Sequence, residues 1–220
     1  MSNIHDKLKN HYEGCLEKHR GKEGLEVDWT NLDVLGGRYD AMLDLLKMIN
    51  VVSEAPNLLD VGSGTSSIVE HYKNKQAWDE VGLFNYYACD LSLEMLKEAI
   101  RRTRMDRKYF YIGDGLNINR TFDAVLCNGT YTESLDVEWY AFWTYVKDHV
   151  TALFSKVNVG GGLAFNLLNY HSVPLEDQRK GLFFVDYSSM AELASSLTNN
   201  YTIRTGYGPK CESIVYLIKE

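Results

Sequence analysis

The chain has little proline, few cysteines and no long apolar run. Only three of its 220 residues are proline, and no Pro-, Ser- or Gly-rich stretch marks a linker. We therefore expect one α/β domain with a small appendage. The four cysteines, Cys15, Cys89, Cys127 and Cys211, lie far apart, without Cys-x-x-Cys or paired His spacing. This pattern favours free thiols over a disulfide or a metal site, so no metal is predicted.

The chain also has fewer basic than acidic residues. The chain has 23 Lys and Arg against 30 Asp and Glu, which gives a formal net charge of −7. A protein that binds a phosphate backbone clusters its cations on one face, and the densest cluster here, residues 101–104, fits a helix C-terminus instead. The first ten residues lack the apolar centre of a signal peptide, and no apolar run approaches the roughly 18 residues of a membrane span. We therefore predict a cytoplasmic protein without a nucleic-acid or membrane partner.

One stretch of the chain has a pattern typical of a nucleotide site, but two common nucleotide-binding signatures are missing from it. An apolar run over residues 58–61 leads into Gly62-Ser63-Gly64 and a helical pattern. A buried parallel strand that turns through glycines into a helix presents bare backbone N–H groups to a ligand. A dinucleotide fingerprint needs Gly or Ala where Ser67 stands, and no Gly-Lys-Ser/Thr of a P-loop occurs. Because Asp60 precedes the turn, a ligand with an amino group fits better than a phosphate.

The block Asp60-Val61-Gly62-Ser63-Gly64, with Cys89-Asp90-Leu91-Ser92 and Gly113-Asp114 downstream, resembles the class I S-adenosylmethionine-dependent methyltransferase family. The likeness runs over about residues 56 to 169, with its motifs in the family's order. It implies an enzyme that binds S-adenosyl-L-methionine and releases S-adenosyl-L-homocysteine. It also implies a small-molecule acceptor as the other partner.

Apolar runs alternate with helical patterns along most of the chain, which predicts an α/β fold. Strands are predicted at residues 58–61, 86–89, 109–112, 122–127 and 163–168, followed by a hairpin-like pair at 201–207 and 213–218 joined through Gly208-Pro209. Right-handed crossovers then give a parallel sheet closed by one antiparallel strand. The resemblance implies a Rossmann-like three-layer sandwich with seven strands. Residues 1–50 are predicted to form a helical lid and residues 51–220 the methyltransferase core.

Three features within this layout are specific enough to be checked. Gly160-Gly161-Gly162 is predicted to stop a helix that runs to about Val157. Ser92 is predicted to cap the helix after the second strand, and Ser188 to cap the last helix.

Ligands of open α/β sheets collect at the carboxyl ends of the strands, and polar residues follow each predicted strand. After the first strand, Gly62 and Gly64 let the backbone approach a ligand closely, and Asp60 can receive its ammonium group. After the second strand, Asp90 can accept hydrogen bonds from both ribose hydroxyls. Leu91 follows it and is a candidate to lie against adenine.

The resemblance supplies three further cofactor contacts. It implies that Asp114 accepts from the adenine amino group, with Gly115 making room beside it, although an Asp between two glycines is also a common turn. It implies that Asn128 contacts the cofactor near its sulfonium, through the backbone carbonyl. A guanidinium is the natural partner of the cofactor's methionine carboxylate, which makes Arg38 the candidate; a surface ion pair is its alternative role.

The acceptor side is less defined. Methyl transfer needs a base only when the nucleophile is protonated. Tyr131, Glu133 and His171 are the candidates, and histidine titrates nearest to neutral pH, so His171 comes first; a loop histidine without a catalytic role is its alternative. Glu133 could simply cap the next helix.

The predicted acceptor is an oxygen or nitrogen of a small molecule, such as a sugar or a nucleotide-sugar, and the predicted assembly is a monomer or homodimer. A methyltransferase-like subunit that binds the nucleoside without chemistry is the alternative function. A nicotinamide oxidoreductase is disfavoured because Ser67 departs from the dinucleotide fingerprint and no Tyr-x-x-x-Lys pair occurs.

Overall fold

The computed structural model describes residues 2–22, 24–29, 34–75, 83–172, 178–207 and 211–220. In this part of the chain one mixed sheet lies between two layers of helices. Its strands are β1 (Asn57–Val61), β2 (Asn85–Asp90), β3 (Phe110–Ile112), β4 (Phe122–Cys127), β5 (Val157–Asn169), β6 (Phe184–Val185), β7 (Tyr201–Arg204) and β8 (Glu212–Ile218). The helices are α1 (Ser2–His19), α2 (Leu35–Leu43), α3 (Leu45–Met48), α4 (Ser67–Lys75), α5 (Leu93–Thr103), α6 (Trp139–Ser155) and α7 (Tyr187–Leu197).

The strand order is β3-β2-β1-β4-β5-β8-β7, and the two-residue β6 pairs with the end of β5. Strands β1 to β5 pair in parallel, whereas β8 is antiparallel to both of its neighbours. The predicted fold, a mostly parallel sheet with an antiparallel last strand, is confirmed, and β6 adds a short eighth strand. The predicted turn at Gly208-Pro209 lies outside the described residues. Strand order switches between β1 and β4, which is where ligands of such sheets bind.

The core divides into two apolar layers, one on each face of the sheet. Successive side chains of a strand point to opposite faces, so Leu58 of β1 packs with α2 and α4 while Leu59 and Val61 pack with α6 and α7. All six residues of β4 are buried. Burial on both faces explains why these strands appear in the sequence as nearly continuous apolar runs.

The glycines at 160–162 belong to a strand, so the prediction that they stop a helix is wrong. Helix α6 ends at Ser155, and β5 begins two residues later. The pairing of β4 with β5 shifts register around these glycines. A Cβ on Gly161 would lie 2.4 Å from the carbonyl oxygen of Asp123, and one on Gly160, whose φ is 79°, would lie 2.4 Å from that of Asn50. The glycines therefore permit an irregular pairing that passes very close to neighbouring backbone.

One predicted helix cap is confirmed and one is wrong. The Ser92 hydroxyl accepts a hydrogen bond from the Met95 amide at 3.2 Å and caps α5, as predicted. Helix α7 is capped by Asp186 instead of Ser188, through a bond of 2.8 Å from the Ser189 amide. Hydrogen bonds from the hydroxyl of Ser188 and the amide of Ser189 lower the pKa of Asp186 to about 2. The carboxylate is therefore charged at the helix N-terminus, where the helix dipole favours it.

Candidate cofactor and acceptor site

A cavity opens at the carboxyl ends of β1, β2 and β4, on the switch in strand order. Its volume is about 960 Å³ when the part open to solvent is included. Helix α1 contributes Leu8 and Tyr12 to its wall, and the segment 24–29 contributes Val27 and Trp29. The structure brings seven of the predicted cofactor residues to this cavity: Asp60, Gly62, Gly64, Asp90, Leu91, Asp114 and Asn128.

The turn after β1 is shaped for close approach. Gly62 and Gly64 have φ angles of 67° and 52°, in the left-handed region that side chains disfavour. A Cβ on Gly62 would lie 2.9 Å from the Thr130 hydroxyl, and one on Gly64 would lie 2.9 Å from the Val27 side chain. A side chain at either position would therefore press on the opposite wall and narrow the cavity.

Asp60 is a buried carboxyl group at the floor of this cavity. It is 3% exposed and accepts a hydrogen bond of 2.7 Å from the Tyr86 hydroxyl. Burial raises its pKa to about 7; the Tyr86 hydrogen bond lowers the pKa, and the charge of Asp90 adds to the increase. A cation placed in the cavity would favour the ionised form. An ammonium group is thus a ligand that suits this site.

Asp90 is oriented by two backbone amides. Its two carboxylate oxygens accept from Gly64 at 2.9 Å and from Ser92 at 2.8 Å. Burial raises the pKa of Asp90 to about 6, against the effect of those two bonds. Each carboxylate oxygen has a second lone pair available, so the group can accept a pair of hydroxyls without losing its orientation.

Two buried polar atoms at the cavity have no hydrogen-bond partner among the described residues. They are the Ser63 hydroxyl oxygen and the side-chain oxygen of Asn128, and both residues line the cavity. Buried polar atoms are nearly always hydrogen-bonded in native proteins, so unpartnered ones beside a cavity point to a polar ligand. The sequence analysis missed Ser63, because a small residue between two glycines is typical of a turn.

Asp114 is held in place by a buried hydrogen-bond chain that the sequence analysis also missed. One carboxylate oxygen accepts from the Leu116 amide at 3.0 Å, and the Asp114 carbonyl lies 3.0 Å from Nε2 of His149. Since a carbonyl only accepts, Nε2 carries the proton, and Nδ1 accepts from the Tyr131 hydroxyl at 2.9 Å. Burial lowers the pKa of His149, which favours this neutral form. His149 lies on an aromatic-rich helix, where the sequence indicates only core packing.

Two predicted residues lie beside the cavity without lining it. Tyr131 is fully buried, its hydroxyl is bonded to His149, and burial raises its pKa well above the ordinary value. It therefore supports the site and does not reach a substrate as a base. Gly115 is also buried, and a Cβ there would lie 3.2 Å from the Cys89 sulfur. Its role in the structure is to allow tight packing against β2.

Arg38 lies outside the cavity, contrary to its predicted contact with the methionine carboxylate. Its guanidinium donates to Glu212, with 2.8 Å between Nε and Oε2, and it covers the Trp29 ring. The pair is buried, so the alternative of a surface ion pair is also wrong. Glu212 accepts in addition from Asn166, whose side-chain oxygen accepts from the Gly129 amide at 2.7 Å. The network therefore supports the turn that follows β4.

Comparison with known proteins agrees with this geometry. A family model described as a methyltransferase domain matches residues 59–144, which include most of β1, all of β2 to β4 and the cavity residues between them. Residues 59–144 thus match a methyltransferase domain, and the fold is that of the class I S-adenosylmethionine-dependent methyltransferases. The domain match supports an enzyme that transfers methyl groups, with S-adenosyl-L-methionine as its cofactor. No sequence among the curated proteins matches it.

Solved structures show the same fold at low sequence identity. Magnesium protoporphyrin IX methyltransferase from Synechocystis PCC 6803, solved with S-adenosylhomocysteine, has a TM-score of 0.63 and 14% identity over 100% of this chain and 99% of its own. The N-methyltransferase NodS from Bradyrhizobium japonicum WM9 has a TM-score of 0.62 and 16% identity, over 94% and 97%. CalS10 from Micromonospora echinaspora, an amino pentose methyltransferase, has a TM-score of 0.61 and 17% identity, over 94% and 95%.

The two remaining candidate bases of the methyltransferase lie in different places. Glu133 is 6% exposed and pairs with Arg179, and burial raises its pKa to about 7 although Arg179 opposes the shift. After burial, Glu133 and Asp28 are the strongest influences that raise the pKa of Tyr12, a cavity residue. His171 is exposed, on a short 3-10 turn (Tyr170–Ser172) that borders a separate shallow groove. Glu133 is thus the candidate whose charge acts on a cavity residue, whereas His171 borders a different groove.

Within the described ranges, no helix combines the length and the apolar character that a bilayer crossing requires.

Proposed function

We propose that this methyltransferase transfers a methyl group from S-adenosyl-L-methionine to an amino nitrogen of a small molecule. The observation that carries the cofactor half is the cavity in which buried Asp60 and half-buried Asp90 meet the unpartnered oxygens of Ser63 and Asn128. In the proposal, Asp60 receives the cofactor's ammonium group and Asp90 its ribose hydroxyls. Adenine lies between Leu91 and Asp114. The lid, residues 1–50, covers the cofactor with Tyr12 and Trp29.

The acceptor half rests on Glu133, whose charge acts on Tyr12 of the cavity wall. When bound, S-adenosylmethionine supplies an electrophilic methyl group. An ammonium acceptor must lose a proton before its nitrogen has a free electron pair, and a base with a pKa near neutrality is suited to that task. Glu133, with a pKa of about 7, fits this requirement. In the proposal Glu133 takes the proton that the acceptor loses, and Arg179 stabilises the ionised carboxylate.

Two of the similar structures support an amine acceptor by their descriptions. NodS is described as an N-methyltransferase and CalS10 as an amino pentose methyltransferase. An amino sugar is therefore the first acceptor class to test. The exposed aromatic residues Trp139, Tyr140 and Tyr170, which border the groove beside His171, have no role in this proposal.

The test has a binding step and a turnover step. S-adenosylhomocysteine and S-adenosylmethionine should bind in calorimetry while NAD does not, and release of S-adenosylhomocysteine should follow when amino sugars are added. Glu133→Gln should lower turnover by about 100-fold or more, because it removes the base, with little change in cofactor affinity. Glu192→Gln, at an exposed position on α7, is the matched control and should change neither.

The outcomes separate the competing functions. If neither sulfur nucleoside binds, the proposed cofactor site is wrong. If both bind tightly but no amine or hydroxyl acceptor is methylated, the subunit that only binds the nucleoside becomes the better description. If Glu133→Gln turns over amines at the wild-type rate, the proposed base is wrong.

A further inference from the structure

A histidine, a cysteine and an aspartate converge within the lid, and none of them takes part in the proposed reaction. His11 and Cys15 are four residues apart on α1 and therefore share one face of the helix. Asp28 follows the short 3-10 helix Leu25–Val27. Nε2 of His11 is 3.3 Å from a carboxylate oxygen of Asp28, and the Cys15 sulfur is 3.9 Å from the same nitrogen. All three ligand atoms lie within 4.8 Å of one another.

These separations resemble those of atoms bound to one tetrahedral ion. Zinc bonds of about 2.0–2.1 Å to nitrogen and oxygen and about 2.3 Å to sulfur place N and O about 3.3 Å apart and N and S about 3.6 Å apart. A set of imidazole, thiolate and carboxylate suits zinc, whereas magnesium and calcium prefer oxygen ligands. We propose that His11, Cys15 and Asp28 bind one zinc-class divalent cation.

The surroundings leave room for such an ion. The side chains of His11 and Asp28 are 27% and 23% exposed, so an ion has access from solvent and its fourth position is open to water. Arg179 donates to the same Asp28 oxygen at 3.1 Å and also pairs with Glu133. A carboxylate oxygen has two lone pairs, so Arg179 can orient Asp28 while the second lone pair binds the ion. Binding replaces the thiol proton of Cys15, which is released to solvent.

The ion would tie the two parts of the lid together. Tyr12, which follows His11 directly, lines the cofactor cavity from α1. Val27 and Trp29, on either side of Asp28, line it from the segment 24–29. An ion that joins His11 to Asp28 therefore holds both cavity walls in one arrangement. By reciprocity, zinc should strengthen cofactor binding by the same factor by which the cofactor strengthens zinc binding.

Cobalt provides a direct spectroscopic test. The full chain, freed of metal with a chelator, is titrated with Co²⁺ and, in a separate experiment, with Zn²⁺ in competition with a chromophoric chelator. We expect one equivalent to bind and a thiolate-to-cobalt absorption band to appear in the near ultraviolet. Cys15→Ser should abolish the band and weaken zinc binding at least about 100-fold, because loss of a direct ligand costs more than loss of an outer contact. Cys211→Ser, at another partly exposed free thiol, should leave both unchanged.

A second ligand variant guards against a folding defect. His11→Asn should also weaken zinc binding, and S-adenosylhomocysteine binding without metal shows whether each variant is folded. The proposal is overturned if wild type and Cys15→Ser bind zinc equally, if Cys211→Ser loses the cobalt band, or if no equivalent of either metal binds. None of these results decides whether the cofactor binds. The zinc-site proposal and the methyl-transfer proposal can therefore be refuted independently.

Discussion

The affinity for S-adenosylhomocysteine should fall as the pH falls from 8 to 6, because two carboxyl groups of the cavity, buried Asp60 and half-buried Asp90, must be ionised to hold it. Burial raises the pKa of Asp60 to about 7 and that of Asp90 to about 6 in the unliganded protein. A carboxyl group with a raised pKa is protonated at a pH where an ordinary one is charged. Binding of the ammonium and the ribose hydroxyls then requires proton release, so affinity is present above these pKa values and lost below them.

The magnitude follows from the ionised fractions. For Asp60 that fraction falls from about 0.9 at pH 8 to about 0.1 at pH 6, a factor of about ten. For Asp90 it falls from about 1 to about 0.5, a factor of about two. We expect affinity to weaken about 20-fold in total if the two groups titrate independently.

Calorimetry at pH 8, 7 and 6, repeated in buffers of different ionisation enthalpy, measures both the affinity and the protons released. At pH 6 binding should release about 1.4 protons, which is the sum of the two protonated fractions. Asp60→Asn should bind more weakly at every pH, and its pH dependence should shrink to about twofold. A wild-type affinity that is flat between pH 8 and 6, or an undiminished pH dependence in Asp60→Asn, would refute this reasoning.

Four further substitutions, one of them a control, test other parts of the structure. Gly64→Ala should weaken S-adenosylhomocysteine binding at least about tenfold, since it adds a methyl group that narrows the cavity, and its left-handed strain of about 1–2 kcal/mol should lower the stability. Gly206→Ala is the control: this glycine has a φ of 73° and open space around it, so the substitution should lower only the stability. If both variants lose the same binding affinity in calorimetry, narrowing of the cavity is not the cause. Glu212→Gln leaves Arg38 as a buried charge without its counter-ion and should cost about 3 kcal/mol in urea unfolding. Tyr131→Phe removes a buried hydrogen bond and should cost about 1–3 kcal/mol by the same method; an unchanged midpoint would show that the bond contributes nothing.

The fold and the cofactor side could be predicted because they depend on local patterns. Each buried strand is an apolar run, and the residues after Leu59 and Cys89 end at the same edge because parallel strands share a direction. Asp60 and Asp90 therefore had to lie near each other once the topology was known. Their contacts with the cofactor itself stay predictions.

The wrong or incomplete predictions concern side chains whose partners lie far along the chain. Arg38 pairs with Glu212, 174 residues away, and the sequence contains nothing that selects this partner over a ligand. The glycines at 160–162 look like a helix stop because their role depends on the backbone of Asp123, which only the folded sheet brings within reach.

The sequence by itself determined the parallel sheet, the glycine turn after β1 and the acids at the strand ends, since periodicity and turn chemistry act between near neighbours. Only the tertiary structure decided what covers the cavity and which acid is poised to titrate near neutral pH. Burial makes Glu133 such an acid although Arg179 opposes the shift, and burial is a property of the whole fold. The meeting of His11 and Cys15 with Asp28 likewise depends on how α1 packs against a segment that no local pattern connects to it.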